Sequence, residues 1–258
     1  MTVELVSVGT EILMGNILNS NTQYLAEKCA MLGFNMYHQV TVGDNYGRMK
    51  EVVATAVSRA DIVILTGGLG PTEDDLTKEV CAEVMGMELV EDPHTRQHIE
   101  EFFHNNIYRE IPANNWKMTT VPRGARVLDN HNGMAPGLIL EKEGRTAILL
   151  PGPPGELYPM FEQQVFPYLE TRENASLVSK TLKICGHGES QVEDQLIDLI
   201  DGQTNPTLAT YAKVGEVHLR ITARADETGK AAALVEPVAA EVKRRMGDAV
   251  YTEDEGET

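Results

Sequence analysis

Short apolar runs alternate with amphipathic stretches along the first 170 residues. The runs at residues 3–8, 61–66 and 146–150 are rich in valine, isoleucine and leucine. Such runs are typical of strands that have both faces covered in a parallel sheet, and residues 34–42 alternate as a further strand. Strands separated by helices in this way predict a three-layer, doubly wound α/β fold with a mostly parallel sheet.

Helical periodicity fills the intervals between these strands. Helices are predicted up to about residue 33 and over residues 46–59, 73–85, 92–105 and 157–168. Residues 138–141 and 146–150 are predicted to pair as neighbouring strands. Residues 106–136 lack a regular pattern and are interpreted as a lid or a partner surface.

The composition changes after residue 170, where a short polar stretch is interpreted as a linker. The part that follows is predicted to contain strands at 177–185, across 207–225 and at 249–252, with helices at 189–200 and 230–246. This is an α+β arrangement of about the size of a KH domain. The sequence therefore predicts two domains, residues 1–170 and the smaller residues 171–258.

The charge balance limits the partners of the chain. It has 22 basic and 39 acidic residues, which give a net charge of −17. A nucleic-acid backbone and an anionic membrane surface both repel such a chain, so neither is expected as a partner. The Gly186-His187-Gly188-Glu189 corner also lacks the basic loop of an RNA-binding KH module.

Cysteine usage and the chain start predict a cytoplasmic protein. Cys29, Cys81 and Cys185 are scattered through apolar segments, which favours reduced, buried thiols over disulfides or a zinc site. The chain begins directly with a strand, without a basic and apolar leader. No apolar run reaches the length that would span a membrane.

The loop after the third predicted strand is the clearest candidate site. Gly67, Gly68 and Gly70 allow a tight turn and a close approach of the backbone to a ligand. Thr72 is predicted to cap the next helix, whose free N–H groups would face a phosphate. Alternatively, the glycines only form a strand-to-helix turn, and Asp75 completes a capping box with Thr72. Both interpretations remain open.

Acidic residues follow several of the predicted strands. Glu11 comes directly after the first strand and Asp44 after the second, at the edge where open α/β sheets bind ligands. Asp44 has an alternative role as a turn or cap residue. Asp74 and Asp75 are adjacent, so a regular helix would direct only one of them at a ligand.

A proline-rich loop, Pro151-Gly152-Pro153-Pro154-Gly155-Glu156, follows the strand at 146–150. Prolines on both sides of Gly152 stiffen this loop, which is either a strong helix start or a further ligand-facing loop that carries Glu156. His94, His98 and His104 lie on or near one predicted helix. Solvated histidines are favoured there over a metal site, because no acidic signature accompanies them.

Four motifs together resemble the competence/damage-inducible protein A (CinA) family: Gly9-Thr10-Glu11, Gly43-Asp44, Thr66-Gly67-Gly68-Leu69-Gly70-Pro71-Thr72 with Asp74-Asp75, and Pro151 to Glu156. The resemblance covers essentially the whole chain. Residues 1–170 resemble the molybdopterin-binding domain superfamily, and residues 171–258 resemble the KH-like middle domain of the family. Longer members continue into a nicotinamide-nucleotide deamidase domain, and that activity is not expected of these residues.

The resemblance implies an enzyme that hydrolyses ADP-ribose to AMP and ribose 5-phosphate in pyridine-nucleotide recycling, with a divalent metal, Mg²⁺, as cofactor. Two alternatives remain open. The site binds or adenylylates molybdopterin, or the domain is a non-catalytic scaffold that holds a nucleotide. A small-molecule nucleotide is the expected substrate and a homodimer the expected assembly, without a nucleic-acid or membrane partner.

The motifs assign roles to individual residues. The catalytic candidates are Asp75, Asp74 and Glu11, and the metal candidates are Asp44 and Glu156. The candidates for binding the substrate are Gly9, Thr10, Asn21, Thr66, Gly67, Gly68, Gly70, Pro71, Thr72, Gly152, Pro153 and Pro154.

Overall fold

A computed structural model describes residues 1–105, 110–172 and 176–254 of the chain. The chain divides into two compact units, of which the first holds Met1–Ala30 and Phe34–Arg172 and the second holds the other described residues. None of the helices in these ranges is long and apolar enough to cross a membrane.

The first unit contains eight strands and seven α-helices within its described residues. The strands are β1 Thr2–Val8, β2 Asn35–Val42, β3 Ile62–Thr66, β4 Leu89–Glu91, β5 Thr120–Pro122, β6 Arg126–Leu128, β7 Gly137–Lys142 and β8 Arg145–Leu150. The helices are α1 Thr10–Leu13, α2 Ser20–Met31, α3 Tyr46–Arg59, α4 Thr77–Val84, α5 Pro93–Asn105, α6 Pro154–Met160 and α7 Phe166–Glu170. A 3₁₀ helix at Ala113–Thr119 precedes β5, and a π-helical turn at Phe161–Val165 joins α6 to α7.

The main sheet has the strand order β2-β1-β3-β8-β7-β6. Its first four strands are parallel, while β7 and β6 are antiparallel to their neighbours. All five residues of β3 are buried, as expected for a central strand with both faces covered. The predicted α/β fold with a mostly parallel sheet is therefore confirmed.

The register of the parallel strands places four loops at one edge. Val8 pairs with Val42, and Thr66 pairs with both Ser7 and Leu150. The four strands therefore end nearly level, and the loops that follow β1, β2, β3 and β8 share the carboxyl edge of the sheet.

Apolar packing on the sheet holds this edge in place. The core joins Val63 and Leu65 of β3 to Val53 of α3 and Val80 of α4, and all four side chains are buried. Fully burying one such side chain stabilises the fold by about 1.5–3 kcal/mol. The loops at the carboxyl edge thus start from a rigid support.

The helix predicted at residues 73–85 begins later, at Thr77. The amide of Thr72 donates to Oδ2 of Asp75 over 2.9 Å. This hydrogen bond closes a separate turn that precedes the helix, and it is not part of the first turn of the helix. The prediction that Thr72 caps the helix is therefore wrong, because the flanking residue of α4 is Leu76.

Two other predicted segments differ from the structure. The described part of residues 106–136 contains the 3₁₀ helix and strands β5 and β6, and residues 106–109 of this segment lie outside the described residues. The helix predicted at 157–168 is divided into α6, the π-helical turn and α7, and Pro159 lies inside α6.

The second unit is a separate, smaller α+β unit with an antiparallel sheet of order β10-β11-β9-β12. Its strands are β9 Ser176–Cys185, β10 Thr207–Ala212, β11 Glu216–Ala225 and β12 Val250–Thr252. Its helices are α8 Glu189–Gln195, α9 Ile197–Asp201 and α10 Thr228–Met246, followed by a 3₁₀ turn at Gly247–Ala249. The helix predicted at 189–200 is interrupted at Leu196, which belongs to neither α8 nor α9.

All three cysteines are free thiols, and they differ in exposure. Cys29 and Cys81 are buried, as predicted, but Cys185 is exposed. The prediction of a third buried thiol is wrong because Cys185 ends β9, directly before a turn at Gly186.

Candidate functional site

A cleft of about 580 Å³ lies at the carboxyl edge of the parallel strands. Every residue predicted to form the site lines this cleft except Thr10, which instead contacts the lining residue Asp44. The predicted residues that line it are Gly9, Glu11, Asn21, Asp44, Thr66, Gly67, Gly68, Gly70, Pro71, Thr72, Asp74, Asp75, Gly152, Pro153, Pro154 and Glu156. The fold brings the four loops together, and the role of each residue stays a prediction.

The glycine loop is fixed by backbone hydrogen bonds and by Thr77. The amide of Gly67 donates to the carbonyl oxygen of Leu150 over 3.0 Å, and the amide of Thr77 donates to that of Gly68 over 3.1 Å. Gly68 has a φ of 69°, and a Cβ atom there would lie 2.2 Å from Oγ1 of Thr77. The loop therefore requires glycine at this position.

Three consecutive amides of this loop remain available. The N–H groups of Gly68, Leu69 and Gly70 donate to no acceptor in the part of the chain that the structure describes. All three residues line the cleft. Successive free amides of this kind form a binding site for anionic groups such as phosphate.

Two side chains of the lining carry buried oxygens without a partner. Nδ2 of Asn21 donates to the carbonyl oxygen of Gly152 over 2.6 Å, which leaves Oδ1 of Asn21 unpaired among the described residues. Oγ1 of Thr66 is likewise unpaired within the described ranges. Asn21 is only 7% exposed and Thr66 only 3%. A buried unpaired group costs about 1–3 kcal/mol, so Oδ1 of Asn21 favours a ligand with a hydrogen-bond donor, while the hydroxyl of Thr66 can pair with a donor or an acceptor.

Asp44 connects the loops after β1 and β2. Its Oδ2 accepts a hydrogen bond from the amide of Thr10 over 2.8 Å, and its own amide donates to Oγ1 of Thr10 over 3.2 Å. The helix that follows is capped by Asn45, whose side chain accepts from the amide of Arg48. Asp44 is therefore a turn residue whose side chain also lines the cleft.

The turn at residues 72–75 presents two carboxylates to the same cleft. Oδ2 of Asp75 accepts from the hydroxyl of Thr72 over 2.6 Å, and Oδ1 of Asp74 contacts the same hydroxyl. The hydrogen bond from Thr72 lowers the pKa of Asp74, and the nearby charge of Lys117 adds to this effect. The expectation that only one of the two acids can face the cleft is wrong, because these residues are not helical.

Lys117, which lies in the 3₁₀ helix, stabilises this turn through hydrogen bonds. Its Nζ donates to the carbonyl oxygen of Thr72 over 2.7 Å and also to that of Asp75. The buried Lys78 in turn donates to the carbonyl oxygen of Lys117 over 2.7 Å. Sequence reasoning missed both lysines, because they act on the cleft through tertiary contacts with backbone carbonyls.

Residues 129–135, named here the wall segment, form another side of the cleft through Met134 and Ala135. Asn130 of this segment donates from Nδ2 to Oε2 of Glu156 over 2.7 Å and to the carbonyl oxygen of Ala135 over 2.8 Å. Met118 of the 3₁₀ helix lines the same side. From the sequence, residues 106–136 are interpreted as a lid or a partner surface, but none of their side chains is assigned to the site, since the segment shows no periodicity that would place them.

The cleft is strongly acidic. Glu11, Asp44, Asp74, Asp75 and Glu156 line it, and its lining contains no lysine, arginine or histidine among the described residues. The same ranges contain no group of three histidine, cysteine, aspartate or glutamate side chains positioned to hold a metal ion. A cation at this site would therefore need oxygen atoms of a ligand in addition to the carboxylates.

Two histidines of α5, His94 and His98, contact the wall segment. Nε2 of His94 lies 2.6 Å from Oδ1 of Asp129, and Nε2 of His98 lies 3.1 Å from the carbonyl oxygen of Gly133. The prediction that they are only solvated is thus corrected for His98, which is half-buried against the wall segment.

Comparison with known families identifies both units. Residues 4–171 match the model described as "Probable molybdopterin binding domain", and residues 179–252 match the "Damage-inducible protein CinA KH domain". A competence-damage inducible protein of Clostridium beijerinckii is 50% identical over 257 residues, which cover 98% of this chain and 62% of that protein. A CinA-like protein of Dictyoglomus turgidum is 49% identical over 255 residues, which cover 99% of this chain and 62% of that protein.

A solved structure agrees with this assignment. The crystal structure of the protein CinA from Thermoplasma acidophilum is similar to this chain with a TM-score of 0.59 and 29% identity. The similarity covers 63% of this chain and 95% of that one.

These comparisons correct the function expected from the sequence. The expectation of ADP-ribose hydrolysis is wrong, because the model that matches the first unit is described as molybdopterin-binding and the relatives are named for competence and damage induction. The findings support the alternative of molybdopterin binding instead. The chain spans about 62% of the length of the curated relatives that it matches. By its two matching domains and its relatives, the chain belongs to the CinA family.

Proposed function

We propose that the first unit binds a phosphorylated pterin of the molybdopterin type in the cleft. One observation carries the proposal: the residues that line the cleft include both those with free amides and one with a buried, unpaired side-chain oxygen. The amides of Gly68, Leu69 and Gly70 suit a phosphate, and Oδ1 of Asn21 suits an N–H donor. A pterin phosphate supplies both groups, since its ring carries N–H donors and its side chain carries the anion.

The arrangement orients such a ligand. The phosphate rests on the glycine loop, where the bonds of Thr77 to Gly67 and Gly68 hold the free amides in place. The ring extends towards Asn21, whose amide group is fixed by the carbonyl oxygen of Gly152. Because both partners are held before binding, the ligand loses little affinity to ordering of the protein.

The acidic lining favours a divalent cation as a second component. Two like unit charges 4 Å apart repel by about 4 kcal/mol at an effective dielectric constant of 20, so carboxylates and a phosphate need a counter-ion. Mg²⁺ is bound in proteins through one or two carboxylates together with phosphate oxygens and water. The proposed cation therefore enters with the ligand, and Asp44, Asp74, Asp75, Glu11 and Glu156 are its candidate protein ligands.

Titration calorimetry of the whole chain with purified molybdopterin tests this function, with Mg²⁺ and with excess EDTA. We expect binding that requires Mg²⁺. Incubating the same samples with ATP and separating the products shows whether bound pterin is also adenylylated. Absence of binding with any divalent ion would overturn the proposal.

A pair of asparagines provides a matched comparison. Asn21→Leu removes the unpaired acceptor in the cleft, and we expect a loss of affinity of tenfold or more. Asn115 is 4% exposed and also carries an unpaired Oδ1 among the described residues, but it does not line the cleft. Asn115→Leu should bind like the wild type. Equal affinity in the wild type and Asn21→Leu would contradict the assigned role of Asn21.

A further inference from the structure

Helix α5 holds the wall segment at two points, one helical turn apart. Nε2 of His94 contacts the carboxylate of Asp129 at the start of the segment. Nε2 of His98 donates to the carbonyl oxygen of Gly133, directly before Met134. Residues four positions apart lie on the same face of a helix, so one face of α5 contacts the wall segment at both Asp129 and Gly133.

A small apolar cluster joins α5 to the cleft. Ile99 and Phe103 of α5 pack with the buried Met118, and Met134 and Ala135 pack against the same cluster. Met118, Met134 and Ala135 also line the cleft. This side of the cleft is therefore apolar, and it packs on α5, while Ala135 also packs against the core of the main sheet.

Exposed apolar side chains line another part of the cleft. Ile17 is 52% exposed and Leu18 is 85% exposed, and both belong to the lining. A cleft with methionine and aliphatic side chains in its lining fits a flat ring, since thioethers make favourable contacts with aromatic systems. A ring in the cleft would also bury part of the aliphatic surface that is exposed without a ligand.

We propose that Met134, supported by Met118, recognises a flat heteroaromatic ring, and that His98 is the residue that positions Met134 for this task. The ligand class is a heteroaromatic ring linked to a phosphate, either a pterin or a nucleotide. The inference rests on the proposed function only for the site at which the phosphate binds.

The close approach of the Gly133 backbone to neighbouring side chains explains why the position of the wall segment matters. A Cβ atom at Gly133 would lie 2.3 Å from Oε2 of Glu156 and 2.9 Å from Nδ2 of Asn130. The wall segment thus approaches the acidic part of the cleft as closely as a glycine permits. A small displacement of Gly133 moves Met134 relative to both the ring and Glu156.

Affinity measurements on four variants test the inference: Met134→Ala, His98→Ala, His98→Gln and His104→Ala. Two probes, pterin phosphate and AMP, carry a ring, and a third, inorganic phosphate, does not. Binding of each probe is measured by NMR chemical-shift titration in the presence of Mg²⁺. His104 is a matched control, because it is an exposed histidine of the same helix that lies outside the lining.

We expect Met134→Ala and His98→Ala to weaken binding of the ring ligands about tenfold and to leave phosphate binding unchanged. His98→Gln keeps an N–H donor for Gly133 and should retain most of the affinity. His104→Ala should match the wild type. Amide exchange in the free protein should rise at Gly133 to Ala135 in His98→Ala alone, which reports on positioning without a ligand.

Three results would overturn the inference. The first is unchanged affinity for ring ligands in Met134→Ala, and the second is a parallel loss of phosphate binding in both alanine variants. The third is a wild type that binds neither ring ligand more tightly than phosphate. A wild type that binds AMP but not pterin phosphate overturns the proposed function only, and the ring-recognition inference then stands.

Discussion

The hydroxyl of Thr77 donates a hydrogen bond of 2.8 Å to the carbonyl oxygen of Gly67, and Thr77 is fully buried. The bond joins the first residue of α4 to the loop after β3. It fixes the peptide unit that contains the first free amide, that of Gly68, so this amide is held in position by a side chain that does not line the cleft.

Thr77→Val should therefore reduce both stability and ligand affinity. The substitution keeps the shape of the side chain and leaves the buried carbonyl oxygen of Gly67 without its donor, which costs about 1–3 kcal/mol. Urea denaturation measures the stability, and pterin titration measures the affinity. Thr2→Val is the control, because it removes a hydroxyl bond to Asp61 at the opposite edge of the sheet. It should lower stability without changing affinity, and equal affinity losses in both variants would refute the role of Thr77.

Substitutions at Asp75 should separate charge from turn structure. Asp75→Asn keeps an oxygen that can accept the hydrogen bonds from Thr72, so we expect a nearly unchanged melting temperature. Because it removes the charge, we expect Mg²⁺ to increase the affinity for the pterin less than in the wild type. Asp75→Ala removes the acceptor as well and should cost about 1 kcal/mol of stability, as loss of a capping residue does. Glu73→Gln is the control, since Glu73 is a neighbouring acid outside the lining. The same Mg²⁺ response in Asp75→Asn and the wild type would exclude Asp75 from cation binding.

Asp74→Asn should leave the fold unaffected and reduce the response to Mg²⁺. Asp74 is exposed, and among the side chains of the described residues only the hydroxyl of Thr72 forms a hydrogen bond with its carboxylate. Thermal melting and calorimetry with Mg²⁺ check the two outcomes. If the Mg²⁺ response of Asp74→Asn equals that of the wild type while Asp75→Asn has lost it, the cation site contains Asp75 alone of this pair.

The contact between His94 and Asp129 predicts a pH-dependent wall segment. The hydrogen bond that His94 donates to Asp129 is the main cause that raises the pKa of His94 above its usual 6.5, and the charge of Asp129 adds to it. Because the pKa of His94 is higher in the folded state, the contact stabilises the fold fully at pH values below the pKa of His94 in the unfolded chain. This contribution is lost as the pH rises through the pKa of His94 in the folded chain. The effect is small, because both side chains are largely exposed.

Titration of the imidazole signals by NMR measures this pKa. Asp129→Asn should return the pKa of His94 towards 6.5, and amide exchange of the wall segment should increase above that pH in the wild type. An unchanged His94 titration in Asp129→Asn would show that the ion pair does not form in solution.

The thiols should differ sharply in reactivity. Burial raises the pKa of Cys29 to about 12, and burial also raises the pKa of Cys81 well above its usual range. Thiolates are the reactive species, so only the exposed Cys185 should react quickly with a disulfide reagent in the native protein. We expect one fast thiol in the native chain, three in denaturant and none in native Cys185→Ser. Fast reaction of a second native thiol would contradict the burial of Cys29 and Cys81.

The sequence predicts the elements that depend on local pattern. The bounds of α3, predicted at 46–59, match Tyr46–Arg59, because an amphipathic repeat and a polar residue before it specify the helix locally. The positions of Glu11, Asp44 and the glycine loop at one edge follow from parallel strands, whose carboxyl ends must lie together.

The parts that the sequence does not predict depend on tertiary contacts. The pattern Thr72-x-x-Asp75 is that of a helix start, and the same hydrogen bond instead closes a separate turn that Lys117 holds from a distant segment. Met118 and Met134 contribute to the cleft from segments without periodicity. Neither spacing nor composition indicates such contacts, since they arise only when the chain has folded.

The location of β8 between β3 and β7 determines when during synthesis the cleft can form. Ile62 pairs with Thr146, and the amide of Gly67 bonds to the carbonyl oxygen of Leu150, so the glycine loop gains its final support from residues made much later. Pairing over such a sequence distance must overcome a large loop-closure entropy, which delays folding. A chain still attached to the ribosome can build β1, β2 and β3 early, but it acquires a ligand-competent cleft only after β8 has emerged from the exit tunnel.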